Sequence, residues 1–295
     1  MTDQELFTQV GIRQEPAVPP KKEKRMAGFP WASGILLGLI VLGCLFAEVL
    51  MTKDPGYLDL QNCGVAPNGE FLFGTDTLGR DIFSGIWYGG RISILIGFLA
   101  TAISAAIAVV YGAVSGVGPE WLDALMMRFT EVFLSVPGLL VVLFFQAILG
   151  QANVLSLAIV IGVTGWPSMA KVIRTEVRQI RESGYVVAAK CMGGGFFHIL
   201  WQHLAPNFIA SIMFMVVMNV RSAIVCESTL SFIGMGLPLE IISWGSMLSL
   251  AEKALMSGSW WMILIPGAFL VTLLLCLTNL GNDLHKRANR KERNL

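Results

Sequence analysis

From Val132 to Ala170 the chain runs for 39 residues without one charged side chain. A helix that crosses a bilayer needs about 20 mostly apolar residues, so this run is long enough for two crossings. Gly150-Gln151-Ala152-Asn153 is the place where it divides. The same criterion finds a first crossing from Met26 to Ala47, a second from Ile92 to Pro119, a fifth starting after Pro206, and a sixth within Ala254 to Asn282 that Pro266 is placed to kink. Charged residues make up only 14% of the 295 and the mean hydropathy is +0.67, whereas soluble domains carry about 25% charge. The expected fold class is an all-α membrane protein with six transmembrane helices.

Orientation follows from where the cations fall. With the N-terminus inside, sixteen Lys/Arg lie on cytoplasmic segments and four outside, at Lys53, Arg80, Arg91 and Lys253. The positive-inside rule then puts both termini in the cytoplasm. Arg221, inside the fifth span, is the remaining cation. Residues 1–25 form a polar cytoplasmic arm, 26–90 the first span and a large outer loop, 91–285 a core of five spans, and 286–295 a basic tail. The apolar run after the arm continues past the Val41-Leu42-Gly43-Cys44 box to Met51, too long for a signal core, so an uncleaved anchor is expected.

In the outer loop, apolar residues at Leu78, Ile82, Phe83, Ile86 and Trp87 recur at helical spacing. They predict a short amphipathic helix on the outer membrane surface. The second span is rich in Ala, Gly and Ser from Gly97 to Gly116, the composition of helices that approach closely. A packed bundle is expected.

Several chemistries find no support. The five cysteines form no CxxC pair and the three histidines no zinc spacing, so neither a disulfide framework nor a metal site is implied. No GxxxxGK[ST] loop is present; Gly193-Gly194-Gly195 opens onto Phe196-Phe197. The histidines lie in cytoplasmic segments, away from any intramembrane serine that a hydrolase would activate. No cofactor site and no nucleic-acid partner are indicated.

The segment Lys171 to Asn207 stands apart. It is charged at first, with five Lys/Arg against two Glu over 171–190, then small and apolar at Val187-Ala188-Ala189, and it turns at the glycines. Tyr185, Ala188, Ala189, Gly193 and the distal Pro206 resemble the EAA motif of the permease subunits of bacterial ABC importers. Val187 stands at the motif's glutamate and Ala205 where the family commonly has leucine. The form Tyr185-Val186-Val187-Ala188-Ala189 is the one seen in the peptide and nickel branch. Small Ala side chains let a short helix enter a partner's groove, Gly permits a sharp turn, and Pro206 ends the second helix before the membrane is re-entered. Two further stretches resemble the C-type permeases of oligopeptide and dipeptide importers: Phe73 to Ile94, and Glu227 to Gly236 followed by Ser243-Trp244-Gly245-Ser246-Met247-Leu248.

The resemblance implies a type I ABC importer permease fold in the bacterial inner membrane. It implies a homologous second permease, two ATPase subunits that bind the ATP, an external substrate-binding lipoprotein, and surrounding membrane lipid. The chain itself is then a non-catalytic translocation subunit for di- or oligopeptides. A nickel or metal-chelate permease of the same branch, and a stand-alone secondary transporter or channel, are the alternatives.

Two ionisable residues fall within the fifth span. Arg221 and Glu227 are six residues apart, which on a regular helix points them in different directions. Either they line the translocation path or its outer gate, or each bonds to a neighbouring helix. Arg128 and Glu131 have the i, i+3 spacing of a local ion pair, and Asp123, at the start of that helix, is expected near the solvated surface.

Overall fold

The computed structural model describes residues 31–150, 153–181, 205–252, 254 and 258–292. These form helices joined by turns, with no β-strand among the described residues. Among the described residues, four helices are long and apolar enough to cross a membrane: α3 (Ile82–Val117), α6 (Val154–Arg181), α7 (Ala205–Phe232) and α9 (Trp261–Glu292). The others are α1 (Trp31–Leu45), α2 (Ala47–Leu50), α4 (Glu120–Ser135), α5 (Gly138–Leu149) and α8 (Trp244–Glu252).

The uncharged run divides at the expected place, and local chemistry explains it. Gly150 ends α5 at φ +78°, a left-handed conformation that glycine adopts without a Cβ penalty. Asn153 then caps α6 by accepting from the Ser156 N–H at 2.8 Å, while Ser156 Oγ accepts from the Asn153 N–H at 2.9 Å. That reciprocal pair satisfies donors that a helix start leaves open. The first half of the run is sharply bent: α4 and α5 meet at 88°. Val136 is extended at ψ 133° ahead of Pro137, as the proline ring requires of the residue before it.

Two boundaries differ from the expected ones. The amphipathic stretch at 78–87 is not a separate surface helix. From Ile82 it forms the first turns of α3, which runs on for 36 residues into the membrane. Its apolar face is buried inside the protein, with Ile82 and Ile86 packed on Ala251 and Met262. Likewise the charged segment after Ala170 begins as helix, because α6 continues to Arg181. Periodicity reports an apolar face and leaves open what covers it.

The turn before α3 shows why Phe73 to Asp81 has its sequence. Asp76 Oδ1 accepts from the N–H of Leu78 and Arg80, each at 2.8 Å. Burial pushes this carboxyl above its ordinary range, against the pull of those two donors. Gly79 sits at φ +77°, and a Cβ there would clash with the Asp59 carbonyl oxygen. Asp81 caps α3 through the Ser84 N–H at 3.0 Å.

The bundle is built around α3, which packs most extensively on α6 and also touches α1, α7 and α8. Ala100, Ser104, Ala108, Gly112 and Gly116 recur every four residues along α3 and are all buried. The Ser104 hydroxyl donates to the Gly162 carbonyl across the interface at 2.7 Å. A Cβ on Gly112 would lie 2.7 Å from the Ala170 carbonyl oxygen, and one on Gly116 the same distance from Val177 Cβ. This is the close approach expected from the composition. Gly112→Leu is therefore expected to destabilise the bundle by about 1–3 kcal/mol, since backbone cannot yield as a side chain can. Thermal unfolding of the detergent-purified protein measures it, and wild-type behaviour would show that the interface is looser than its geometry.

Candidate functional site

Helices α5, α6 and α7 line a partly open cavity of about 560 Å³. Its walls come from the start of α5 (Gly138, Leu139, Val142), the middle of α6 (Thr164, Ser168, Met169) and α7 (Met215, Met218, Asn219, Ser222, Thr229). The size lies within the range of small-molecule sites. The lining combines methionine, whose flexible thioether adapts to varied shapes, with neutral hydroxyl and amide groups. Asn219 is held in place by the Thr101 hydroxyl at 3.3 Å and by donating to the Gly165 carbonyl at 3.4 Å. Those two bonds tie it to α3 and α6.

Arg221 lines this cavity and is its one ionisable cation among the described residues. Glu227 does not line it. Glu227 is fully buried, and both carboxylate oxygens accept two hydroxyl bonds. Ser231 and Ser243 donate to Oε1 at 3.0 and 2.8 Å, Ser93 and Ser228 to Oε2 at 3.0 and 3.2 Å. Three of these serines also accept a backbone N–H. Trp244 donates to Ser93, Leu237 to Ser231 and Ser246 to Ser243, so the hydroxyl protons are left to point at the carboxylate. The knot joins α3, α7 and the start of α8. The separate directions expected for Arg221 and Glu227 are observed.

At the far end of α3 a second charged cluster forms. The guanidinium of Arg174 (α6) donates through Nε and an Nη to the two oxygens of Asp123 (α4), and Ser115 (α3) donates to the same carboxylate. Arg178 adds an ion pair at 3.4 Å, and Arg181 donates to the Val117 carbonyl at 3.0 Å. Asp123 is only 6% exposed, so it is buried where the sequence reading placed it near the solvated surface. The reason is its partner: a carboxylate is buried only when paired. The clamp holds the base of α6 to α3 and α4, where the chain enters the segment around residue 190. By contrast Arg128 and Glu131 do pair, at 3.3 Å, but are 83% and 51% exposed and contribute little.

Sequence reasoning missed this clamp, although a signal was present. Arg174, Arg178 and Arg181 recur at four and three residues, the spacing of one helix face. They read as topogenic charge because α6 was ended at Ala170. Tyr185, Ala188, Ala189 and Gly193 lie outside the described residues. Pro206 is the second residue of α7, a position where its missing N–H costs nothing.

Residues 108–290 match the family described as binding-protein-dependent transport system inner membrane component. The chain is 37% identical over 259 residues to the dipeptide transport system permease protein DppC of Bacillus subtilis, covering 88% of this chain and 80% of that one. The oligopeptide transport system permease protein OppC of the same organism is 33% identical, covering 88% and 84%. A putative peptide permease of Brucella suis is 34% identical, covering 84% of each. Among solved structures, the inward-facing methionine ABC transporter MetNI is similar in fold, with a TM-score of 0.57 at 13% identity, covering 69% of this chain and 96% of that one.

Proposed function

Because the chain belongs to the family of binding-protein-dependent transport system inner membrane components, we propose that it is the permease subunit of an ATP-driven peptide importer. It is a multi-pass protein of the inner membrane with the type I importer permease fold. In this reading it crosses six times with both termini cytoplasmic. It pairs with a homologous permease, takes substrate from an external binding lipoprotein, and is driven by two ATPase subunits that hold the ATP. The observation that carries the reading is the identity to a dipeptide and an oligopeptide permease over 88% of the chain.

The chain's own residues then divide the work. Tyr185, Ala188, Ala189 and Gly193 seat in a cleft of one ATPase, with Pro206 starting the helix that leads back into the membrane. Closure of the ATPase dimer moves this segment. The Asp123–Arg174 clamp passes the movement to α3 and α4, because a two-point guanidinium–carboxylate bond resists rotation as well as separation. The cavity between α5, α6 and α7, with Arg221 on its wall, is the part of the path whose access alternates. Glu227 serves the outer gate by locking α8 to α7.

The test is reconstitution of the assembled complex in liposomes and measurement of ATP-dependent uptake of labelled peptides. Gly193→Trp is expected to lower uptake and substrate-stimulated ATP hydrolysis roughly tenfold or more, equivalent to about 1.4 kcal/mol of lost coupling. Unchanged coupling in a variant that still assembles would sink the seat assignment. Transport by the chain alone, with no ATPase, would overturn the importer reading, and uptake of metal chelates in place of peptides would replace the substrate class.

A further inference from the structure

We propose that Arg221 forms an anion subsite in the cavity that receives the C-terminal carboxylate of a peptide in transit; this deepens the peptide reading above and rests on it. Arg221 is partly buried on α7, with its Nε shielded from solvent and without a hydrogen-bond partner among the described residues. Among the described residues, no Asp or Glu lines the cavity with it. An ionisable group within a membrane span is costly to keep, and such groups pair with one another or serve the path of a substrate. Glu227, the nearest acid along the helix, is occupied by four serines. The guanidinium charge thus lines the cavity with no carboxylate paired to it among the described residues.

The chemistry of the ligand follows from what surrounds that charge. Thr164, Ser168, Asn219, Ser222 and Thr229 offer neutral hydroxyl and amide groups, suited to backbone amides that every peptide carries. Met169, Met215 and Met218 accept side chains of varied shape. Whatever its side chains, a linear peptide has one carboxylate at its C-terminus and one ammonium at its N-terminus. Only the carboxylate matches a planar guanidinium, which takes it through two parallel bonds. The subsite would therefore orient the peptide with its C-terminus at Arg221, independent of sequence.

The experiment uses the complete importer in proteoliposomes, with binding protein preloaded with trialanine or with trialanine C-terminal amide. Uptake is measured for wild type, Arg221→Gln and Arg221→Lys, with assembly checked by co-purification of all subunits. Wild type is expected to take up the free acid at least about tenfold faster than the amide, the worth of one charge-assisted bond. Arg221→Gln should bring that ratio close to one, chiefly by slowing the acid, and Arg221→Lys, which keeps the charge without the planar fork, should keep only part of the preference. An acid-to-amide ratio in Arg221→Gln equal to that of wild type would overturn the subsite, whatever the absolute rates. A preference in Arg221→Lys as large as that of wild type would overturn the two-bond seat, since an ammonium cannot supply the planar fork. Uptake of neither form by wild type would overturn the peptide reading itself, and the subsite with it.

Discussion

Asp123→Ala is expected to destabilise the protein by about 3 kcal/mol, the low end of the range for breaking a buried ion pair. The low end applies because Arg174 keeps 23% of its side chain exposed, against 6% for Asp123, so water can partly rescue the orphaned cation. Arg174 would lose both carboxylate bonds and Arg178 its ion pair. Ser115 would lose the acceptor of its hydroxyl. The double variant Asp123→Ala/Arg174→Ala should be less destabilised than the sum of the two single variants, because no strongly desolvated charge is left without a partner. Thermal unfolding of the purified complex measures the stability, and uptake per ATP hydrolysed measures coupling. Additive effects of the two substitutions would mean that the pair does not act as a unit. Normal coupling in the single variant would remove the clamp from the transmission path.

Trp244→Ala is expected to cost about 3–5 kcal/mol, as for other fully buried large side chains. The indole is fully buried and its N–H donates to the Ile86 carbonyl at 2.9 Å. It packs in one cluster with Ile40 and Cys44 of α1, Ile94 of α3, Ile224 of α7 and Leu273 of α9. Gly90 lies directly beneath the ring, where a Cβ would be 2.6 Å from it. Removing the ring therefore leaves a void bordered by four helices that are braced by other contacts, and such a site collapses poorly. Trp244→Phe should cost clearly less, since it keeps much of the volume and loses the one hydrogen bond. If protease sensitivity and unfolding temperature were equal for the alanine and phenylalanine variants, the hydrogen bond rather than the packing would be the dominant contribution.

The fold was legible wherever one physical constraint dominates. Runs without charge announce the spans, because a charge in hydrocarbon is costly. The small residues between Gly97 and Gly116 announced a close helix pair, and α3 does pack closely on α6. The Asn153 cap and Gly150 turn marked the division of the long run because both are local. Helix ends near charge were misread. Ile82 to Trp87 and Lys171 to Arg181 carry charge or amphipathic pattern, yet both continue a span. In each case a neighbouring helix covers the apolar face or a carboxylate meets the charge, and neither partner is near in sequence.

For the candidate site the division is similar. Arg221 and Glu227 stood out as ionisable residues in an apolar span, and that much needs no structure. Their surroundings do. Glu227 meets Ser93, 134 residues away, and Ser243, 16 residues away, and the partners of Asp123 lie 8 and 51 residues away. The sequence by itself determined a helical membrane bundle and the small-residue interface of α3, because bilayer thickness and helical period act on neighbours along the chain. Only the tertiary structure decided which ionisable groups are satisfied. That depends on which helices meet, so it separates Glu227 inside its ring of serines from Arg221 on the cavity wall.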